Sequence, residues 1–148
     1  MKRDLTDGRE PIVSHEYKMR TWYVETDQMG IIHHSNYIRY FEAARCDFMR
    51  SLGISYAEVE ARGIMMPILD VASHYISPLY FDEEITIKVS LYEAPRVRIE
   101  FHYEVINSKG EVANYGTTTL GFMHSDSRRP TRVPEWFLTM MVGDNKNE

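Results

Sequence analysis

Hydrophobic and polar positions alternate most regularly between residues 85 and 105. Ile85, Ile87, Val89 and Leu91 are separated by polar partners. Val97, Ile99, Phe101, Tyr103 and Val105 then alternate with Arg96, Arg98, Glu100, His102 and Glu104. A period of two places successive side chains on opposite faces, so both runs read as strands with one buried face. Glu93-Ala94-Pro95 separates them as a hairpin turn does, and Asn107-Ser108-Lys109-Gly110 is a second turn. A Thr-rich strand follows from Val112 to about His124. Upstream, Met66 to Ser77 reads as a strand with Pro67 at its start, where a missing N–H does least harm. His15 to Val24 reads as a strand ending in the aromatic pair Trp22 and Tyr23.

Between residues 36 and 52 the period changes. Tyr37, Tyr40, Phe41, Ala44, Phe48, Met49 and Leu52 share one broad arc of a helical wheel, with Arg39, Glu42, Asp47 and Arg50 on the other. Gly53 stands where a helix C-cap commonly sits. Such a wide apolar arc suits a helix wrapped by other structure. A shorter helix is expected from Tyr56 to Ala61, ending at Arg62-Gly63. Pro130 and Pro134 break regular structure before a short terminal segment carrying Trp136 and Phe137. The order is strand, long helix, then four strands joined mostly by tight turns, which imply antiparallel neighbours. The expected class is α+β: an antiparallel sheet of about five strands around one buried helix. One domain spanning 1–148, with an ordered core at about 13–138, fits the length; residues 1–12 and the tail GDNKNE look frayed.

Composition narrows the setting. The formal charge of −5 disfavours non-specific nucleic-acid binding, which needs a basic face. Cys46, the one cysteine, cannot form an internal disulfide and suits a reducing compartment. No apolar run is long enough for a transmembrane helix, and no apolar stretch follows Lys2 and Arg3 as a signal peptide requires. A cytoplasmic protein is the expectation. Several chemistries lack their residues: there is no Gly-x-Ser-x-Gly elbow, no His-Glu-x-x-His and no phosphate-cradling glycine loop. His33 and His34 are adjacent, so their side chains diverge and suit no metal. Cys46 reads as a small buried residue.

The segment from Tyr23 to Tyr37, YVETDQMGIIHHSNY, closely resembles the signature of the 4-hydroxybenzoyl-CoA thioesterase-like family, nearest its acyl-CoA thioesterase branch associated with the Tol–Pal system. That signature has an aspartate after a threonine, a glycine three residues on, a histidine seven residues after the aspartate, and an Asn-Tyr pair opening the long helix. Here these are Asp27, Gly30, His34, Asn36 and Tyr37. The helix sequence Tyr37 to Arg45 and the later order of strands extend the resemblance over roughly residues 15 to 135. His33 stands where relatives often carry an aromatic residue. The resemblance implies a hotdog fold, a curled antiparallel sheet around a central helix. It also implies homodimers joined edge to edge, often paired into tetramers, with active sites at the interface. CoA enters as part of the substrate and no other cofactor is implied.

The residues support the chemistry independently. Thioester hydrolysis needs a nucleophile or general base, which a carboxylate supplies, and donors for the developing oxyanion, which a helix N-terminus supplies. Asp27 and the start of the long helix are one short loop apart, and Gly30 lets that loop fold back. Asp27 is therefore the candidate catalytic carboxylate, attacking the carbonyl or activating water; an aspartate here otherwise caps a turn. His34 either orients the reacting groups, lends its backbone N–H to the oxyanion, or merely opens the helix. Tyr23 either hydrogen-bonds the catalytic group, lines the pocket, or is a core aromatic at a strand end. Ser35 reads as the helix N-cap and, with Gly30, Asn36 and Tyr37, is an expected substrate contact of the motif; Glu42 and Arg45 read as an i,i+3 surface pair unless the helix turns them toward the catalytic end. Arg96 and Arg98, or Arg128, Arg129 and Arg132, could hold CoA phosphates or form a solvated face. His74 and Ser77 are candidates on the strand along which the family often places CoA. The leading function is an acyl-CoA thioesterase. The alternatives are an acyl-carrier-protein thioesterase, a non-catalytic acyl-CoA-binding hotdog protein, and a hydratase of the same fold, whose differently placed Asp–His motif is missing.

Overall fold

The computed structural model describes residues 8–143; the residues expected to fray at 1–7 and 144–148 lie outside that range. The chain runs β1 (Val13–Arg20), a 3-10 turn (Tyr23–Glu25), α1 (Asn36–Ser51), α2 (Tyr56–Ala61), β2 (Ile64–Met65), β3 (Ile68–Tyr75), β4 (Glu84–Leu91), β5 (Arg98–Ile106), β6 (Val112–Gly121), β7 (Met123–His124) and α3 (Glu135–Val142). Five strands form one antiparallel sheet in the order β1-β4-β5-β6-β3, and β2 pairs with β7 in a separate ribbon.

The period-two runs decide which sheet face is covered. Ile85, Ile87, Val89 and Leu91 of β4 and Ile99, Phe101, Tyr103 and Val105 of β5 are all buried. Against them lies the apolar arc of α1, where Tyr37, Tyr40, Phe41, Ala44, Phe48 and Met49 are buried. Phe41 stacks on Tyr103 with ring centroids 4.5 Å apart, and Phe48 meets Phe101 edge-on. At Gly116 of β6 the Phe41 ring lies where a Cβ would project, so helix and sheet approach most closely there. Phe137 of α3 closes one end of this core against Phe122.

Several expectations need correction. The first strand stops at Arg20 rather than Val24. The Trp22 N–H donates to the Glu25 carboxylate at 2.7 Å and the Glu25 N–H to the Trp22 carbonyl at 3.0 Å, which turns the chain out of the sheet. Tyr23 is therefore 74% exposed and not a core aromatic. The long Thr-rich strand ends at Gly121, and Met123 and His124 leave it to pair with Ile64 and Met65. Tight turns join only β4, β5 and β6. β3 pairs with β6 at the far edge, so residues 76–83 carry the chain across the sheet instead of forming a hairpin. Arg45 is not a surface residue. It is 5% exposed, and its guanidinium donates to the phenol oxygens of Tyr56 (2.8 Å) and Tyr103 (3.0 Å). Glu42 is 4.0 Å away at the solvent side. Cys46 is half-buried, and burial pushes its thiol above the ordinary cysteine value.

Glu83 anchors the crossing segment. Its carboxylate accepts from the Tyr80 N–H at 2.9 Å, and from the Ser108 N–H (2.9 Å) and hydroxyl (2.8 Å). Burial alone would push this carboxyl up, but these donors and the nearby Lys109 outweigh it and hold it below the ordinary glutamate value. A depressed folded-state pKa stabilises the fold above the unfolded value, and the benefit disappears as pH falls through the folded one. The melting-temperature difference between the parent and Glu83→Gln is thus expected to be largest near neutrality. It should shrink below about pH 4.3, the unperturbed glutamate value. Thermal melts of both proteins across that range check this.

Candidate active site

The loop from Thr26 to Ile32 is a miniature hairpin. Thr26 and Ile32 form a bridge, the Asp27 N–H donates to the Ile31 carbonyl (2.9 Å), and the Gly30 N–H donates to the Asp27 carbonyl (3.0 Å). Gly30 has φ +78° with nothing near its missing Cβ, so glycine serves here for its left-handed backbone and not for space. Within this loop Asp27 Oδ1 accepts from the Met29 N–H at 2.8 Å and the Ile31 N–H at 3.4 Å. Among the described residues Oδ2 has no partner. The aspartate therefore caps its turn with one oxygen and leaves the other unpartnered among the described residues.

The helix start is held to the same loop. The His33 N–H donates to the Glu25 carbonyl at 2.8 Å, and the Asn36 side-chain amide donates to the carbonyls of Glu25 (3.0 Å) and His33 (3.2 Å). Behind them the Glu25 carboxylate is buried, 3% exposed. It accepts from the Trp22 N–H, the Tyr40 hydroxyl (2.8 Å) and the Arg39 guanidinium. Burial and the neighbouring Glu25 push the Tyr40 phenol well above its ordinary range, so it stays a donor. Glu25 thus locks the carboxylate loop to the first two turns of α1. Its own position in the sequence gives little sign of this, since an isolated glutamate beside a turn ordinarily faces water.

Asp27, His34, Tyr37 and Ser77 come together in one groove of about 360 Å³, with Met29, Ile31, Ile32, Tyr75, Ile76 and Pro78 as its other walls. The His34 carbonyl accepts from the Tyr75 hydroxyl at 3.0 Å. The His34 backbone N–H, one residue before the N-cap of α1, has no acceptor among the described residues. Tyr37 meets Tyr75 edge-on at 5.0 Å, and burial pushes its phenol up to about 12, so it presents a neutral ring and hydroxyl. Tyr75, which sequence reasoning missed, is half exposed on an edge strand whose burial does not alternate. That lack of alternation hides its inward role.

Other candidates lie elsewhere in the protomer. Gly30 and Asn36 shape the loop and helix start rather than line the groove. Ser35 occupies the N-cap position but does not cap α1; its hydroxyl turns back to His33 Nδ1 at 2.8 Å. Tyr23 packs edge-on against Phe81, outside the groove. His74 faces Tyr115 on the opposite side of the sheet. Arg98 lines a separate hollow with Glu100 and His102, and Arg132 a third with Arg62 and Trp136. Arg96 sits in the connection before β5 and lines neither the groove nor these hollows. The rings of His33 and His34 do not diverge as their adjacency suggests: their centroids lie 4.1 Å apart with the planes tilted by 30°. No group of three His, Cys, Asp or Glu side chains among the described residues could hold a metal ion.

An antiparallel sheet packed around one long helix is the hotdog arrangement of thioester hydrolases. The chain belongs to the thioesterase-like superfamily, whose family model matches residues 21–140. It is similar to a DHNA-CoA thioesterase from Staphylococcus aureus: TM-score 0.78, 35% identity, 84% of this chain and 83% of that one. It is also similar to a hypothetical protein, TT1821, from Thermus thermophilus: TM-score 0.79, 32% identity, 85% and 95% covered. An acyl-acyl carrier protein thioesterase, ATL3, from Arabidopsis thaliana is 24% identical over 131 residues, covering 88% of this chain and 69% of the relative. No helix among the described residues is long and apolar enough to cross a membrane.

Proposed function

We propose that this protein hydrolyses an acyl-CoA thioester to the free acid and CoA, with Asp27 as nucleophile or general base. One observation carries the reading: an aspartate with one oxygen tied to loop amides and the other unpartnered shares a groove with His34, whose backbone N–H, just before the N-cap of α1, has no acceptor among the described residues. A thioester carbonyl between them would meet the carboxylate on one side. The His34 N–H and the helix dipole would stabilise the oxyanion on the other. Direct attack gives a mixed anhydride that water then opens; general-base attack delivers water in one step. In both, CoA leaves as a thiolate. Neutral aromatic and aliphatic walls suit an acyl group rather than a charged one.

Among the described residues the outer edge of β3 is unpaired; Ile68, Leu69 and Tyr75 of this strand are exposed, as is Ile76 just beyond it. Bare apolar edges are normally covered, which supports an edge-to-edge homodimer. A cytoplasmic setting, where CoA thioesters are made and Cys46 stays reduced, completes the reading. The similarity to a carrier-protein thioesterase favours a second substrate class, the same acyl group on acyl carrier protein. Thiol release is the test, followed for the parent with short, long and aromatic acyl-CoAs and with acyl carrier protein. Turnover of at least one acyl-CoA is expected. Release from carrier protein alone would select the second reading, and binding of acyl-CoA without release would make the protein a non-catalytic binder.

A further inference from the structure

One backbone N–H at the start of α1 stands apart from its neighbours. Those of His33, Ser35, Asn36 and Tyr37 all have acceptors: the Glu25 carbonyl (2.8 Å), His33 Nδ1 (3.2 Å), the His33 carbonyl (3.0 Å) and the His34 carbonyl (3.4 Å), respectively. That of His34, within the same run, has none among the described residues. Its peptide group is held all the same. The other half of that peptide is the His33 carbonyl, which accepts from the Asn36 backbone N–H and again from the Asn36 side-chain amide at 3.2 Å. Both lone pairs of this oxygen are engaged.

We propose that Asn36 is a positioning residue for thioester hydrolysis: its side-chain amide fixes the plane of the His33–His34 peptide and so sets the direction of the His34 N–H toward the developing oxyanion. The inference rests on the thioesterase reading and deepens it. It assigns control of the oxyanion contact to a side chain that does not line the groove.

The amide fits only one way round. Nδ2 faces two carbonyl oxygens, those of Glu25 (3.0 Å) and His33, which accept and cannot donate. Oδ1 faces the Arg39 guanidinium at 3.0 Å, which donates and cannot accept. Arg39 is in turn paired with the buried Glu25 carboxylate, which also takes the Tyr40 hydroxyl. Asn36, Arg39 and Tyr40 stand at i, i+3 and i+4 on one face of α1. That face grips Glu25 through both its carbonyl and its carboxylate. A peptide tied in this way is ordered before substrate arrives, which is what an oxyanion donor requires. Bonds accepted by a carbonyl also polarise the N–H of the same peptide and strengthen it as a donor. The contact strengthens as charge develops on the substrate oxygen, so weakening it falls on kcat rather than on KM.

Asn36→Ala removes the side-chain tie and keeps the backbone bond from residue 36 to the His33 carbonyl, so α1 still starts in place. Removing an oxyanion donor outright costs about 100- to 1,000-fold in kcat, and one that is present but misaimed is expected to lose about 10- to 100-fold. KM for the same acyl-CoA should not change, and a thermal melt shows that the variant is folded. A second readout does not depend on turnover. An acyl-CoA with an isotope-labelled carbonyl is bound to Asp27→Asn, and adding Asn36→Ala is expected to raise the infrared frequency of the labelled carbonyl. Asn36→Ser, too short to reach both carbonyls, supplies the same two readouts if the alanine variant does not fold. A folded variant with parental kcat, an effect confined to KM, or a carbonyl band that does not move overturns the inference and leaves the thioesterase reading standing. A parent that cleaves no acyl thioester fails that reading itself, and this inference with it.

Discussion

Gly116→Ala is expected to destabilise the protein by about 3 kcal/mol, the upper range for forcing an extra carbon into a packed core. For a chain of this size that lowers Tm by about 6–12 °C. A Cβ at this position would overlap Cζ and Cε2 of Phe41 and stand 2.8 Å from the Ala72 carbonyl oxygen. Neither neighbour can give way cheaply. The Phe41 ring is pinned by its stack on Tyr103, and the Ala72 carbonyl belongs to β3, which is registered against β6. The effect is steric and not conformational. Gly30→Ala makes the matching control, because its Cβ would meet nothing while φ is +78°. It should cost only the left-handed penalty of about 1–2 kcal/mol. Thermal melts of both variants separate the two mechanisms, and a Gly116→Ala protein as stable as the parent would remove the close approach of Phe41 to the sheet from this description.

Gly116 also shows where the sequence ceases to be readable. Periodicity reports which face of an element is buried, and it placed α1, α2, β4 and β5 within a residue or two, because each has a covered and an open face. It is silent on partners. Nothing in the Thr-rich run tells that one glycine lies beneath a phenylalanine 75 positions earlier. Nor does anything local tell that β3 crosses to the far side of β6, since sheet order is set by the long connection 76–83.

The candidate site divides in the same way. Asp27, Gly30, His34 and Asn36 are close in sequence, so their neighbourhood could be inferred from the motif. Ser77 is a candidate only through the family resemblance; Glu25 joins the site through its partners on α1, and Tyr75 through the packing of β3 against the helix start. The i,i+3 spacing of Glu42 and Arg45 is a local cue and points to a surface pair. The phenol partners of Arg45 lie on α2 and β5, beyond the reach of any local cue.

Asp27→Asn is expected to lower kcat for thioester hydrolysis about 100- to 10,000-fold, the range over which a positioned acid–base group contributes. The fold should be untouched. The asparagine carbonyl can accept from the N–H groups of Met29 and Ile31 as Oδ1 does now, so the loop keeps its shape and its place at the helix start. What is lost is the carboxylate charge and the capacity to attack a carbonyl or take a proton from water. Substrate binding draws on the groove walls, which the substitution leaves in place, and should survive; the loss then falls on kcat rather than on KM.

The most direct measurement is therefore thiol release by parent and Asp27→Asn side by side, on the acyl-CoA the parent cleaves best, with melting temperatures recorded for both. A variant that melts with the parent, still binds the ester and has lost at least a hundredfold in kcat is the expected result. A folded variant that releases CoA at the parent's rate would contradict the central claim and return Asp27 to the role of a turn residue.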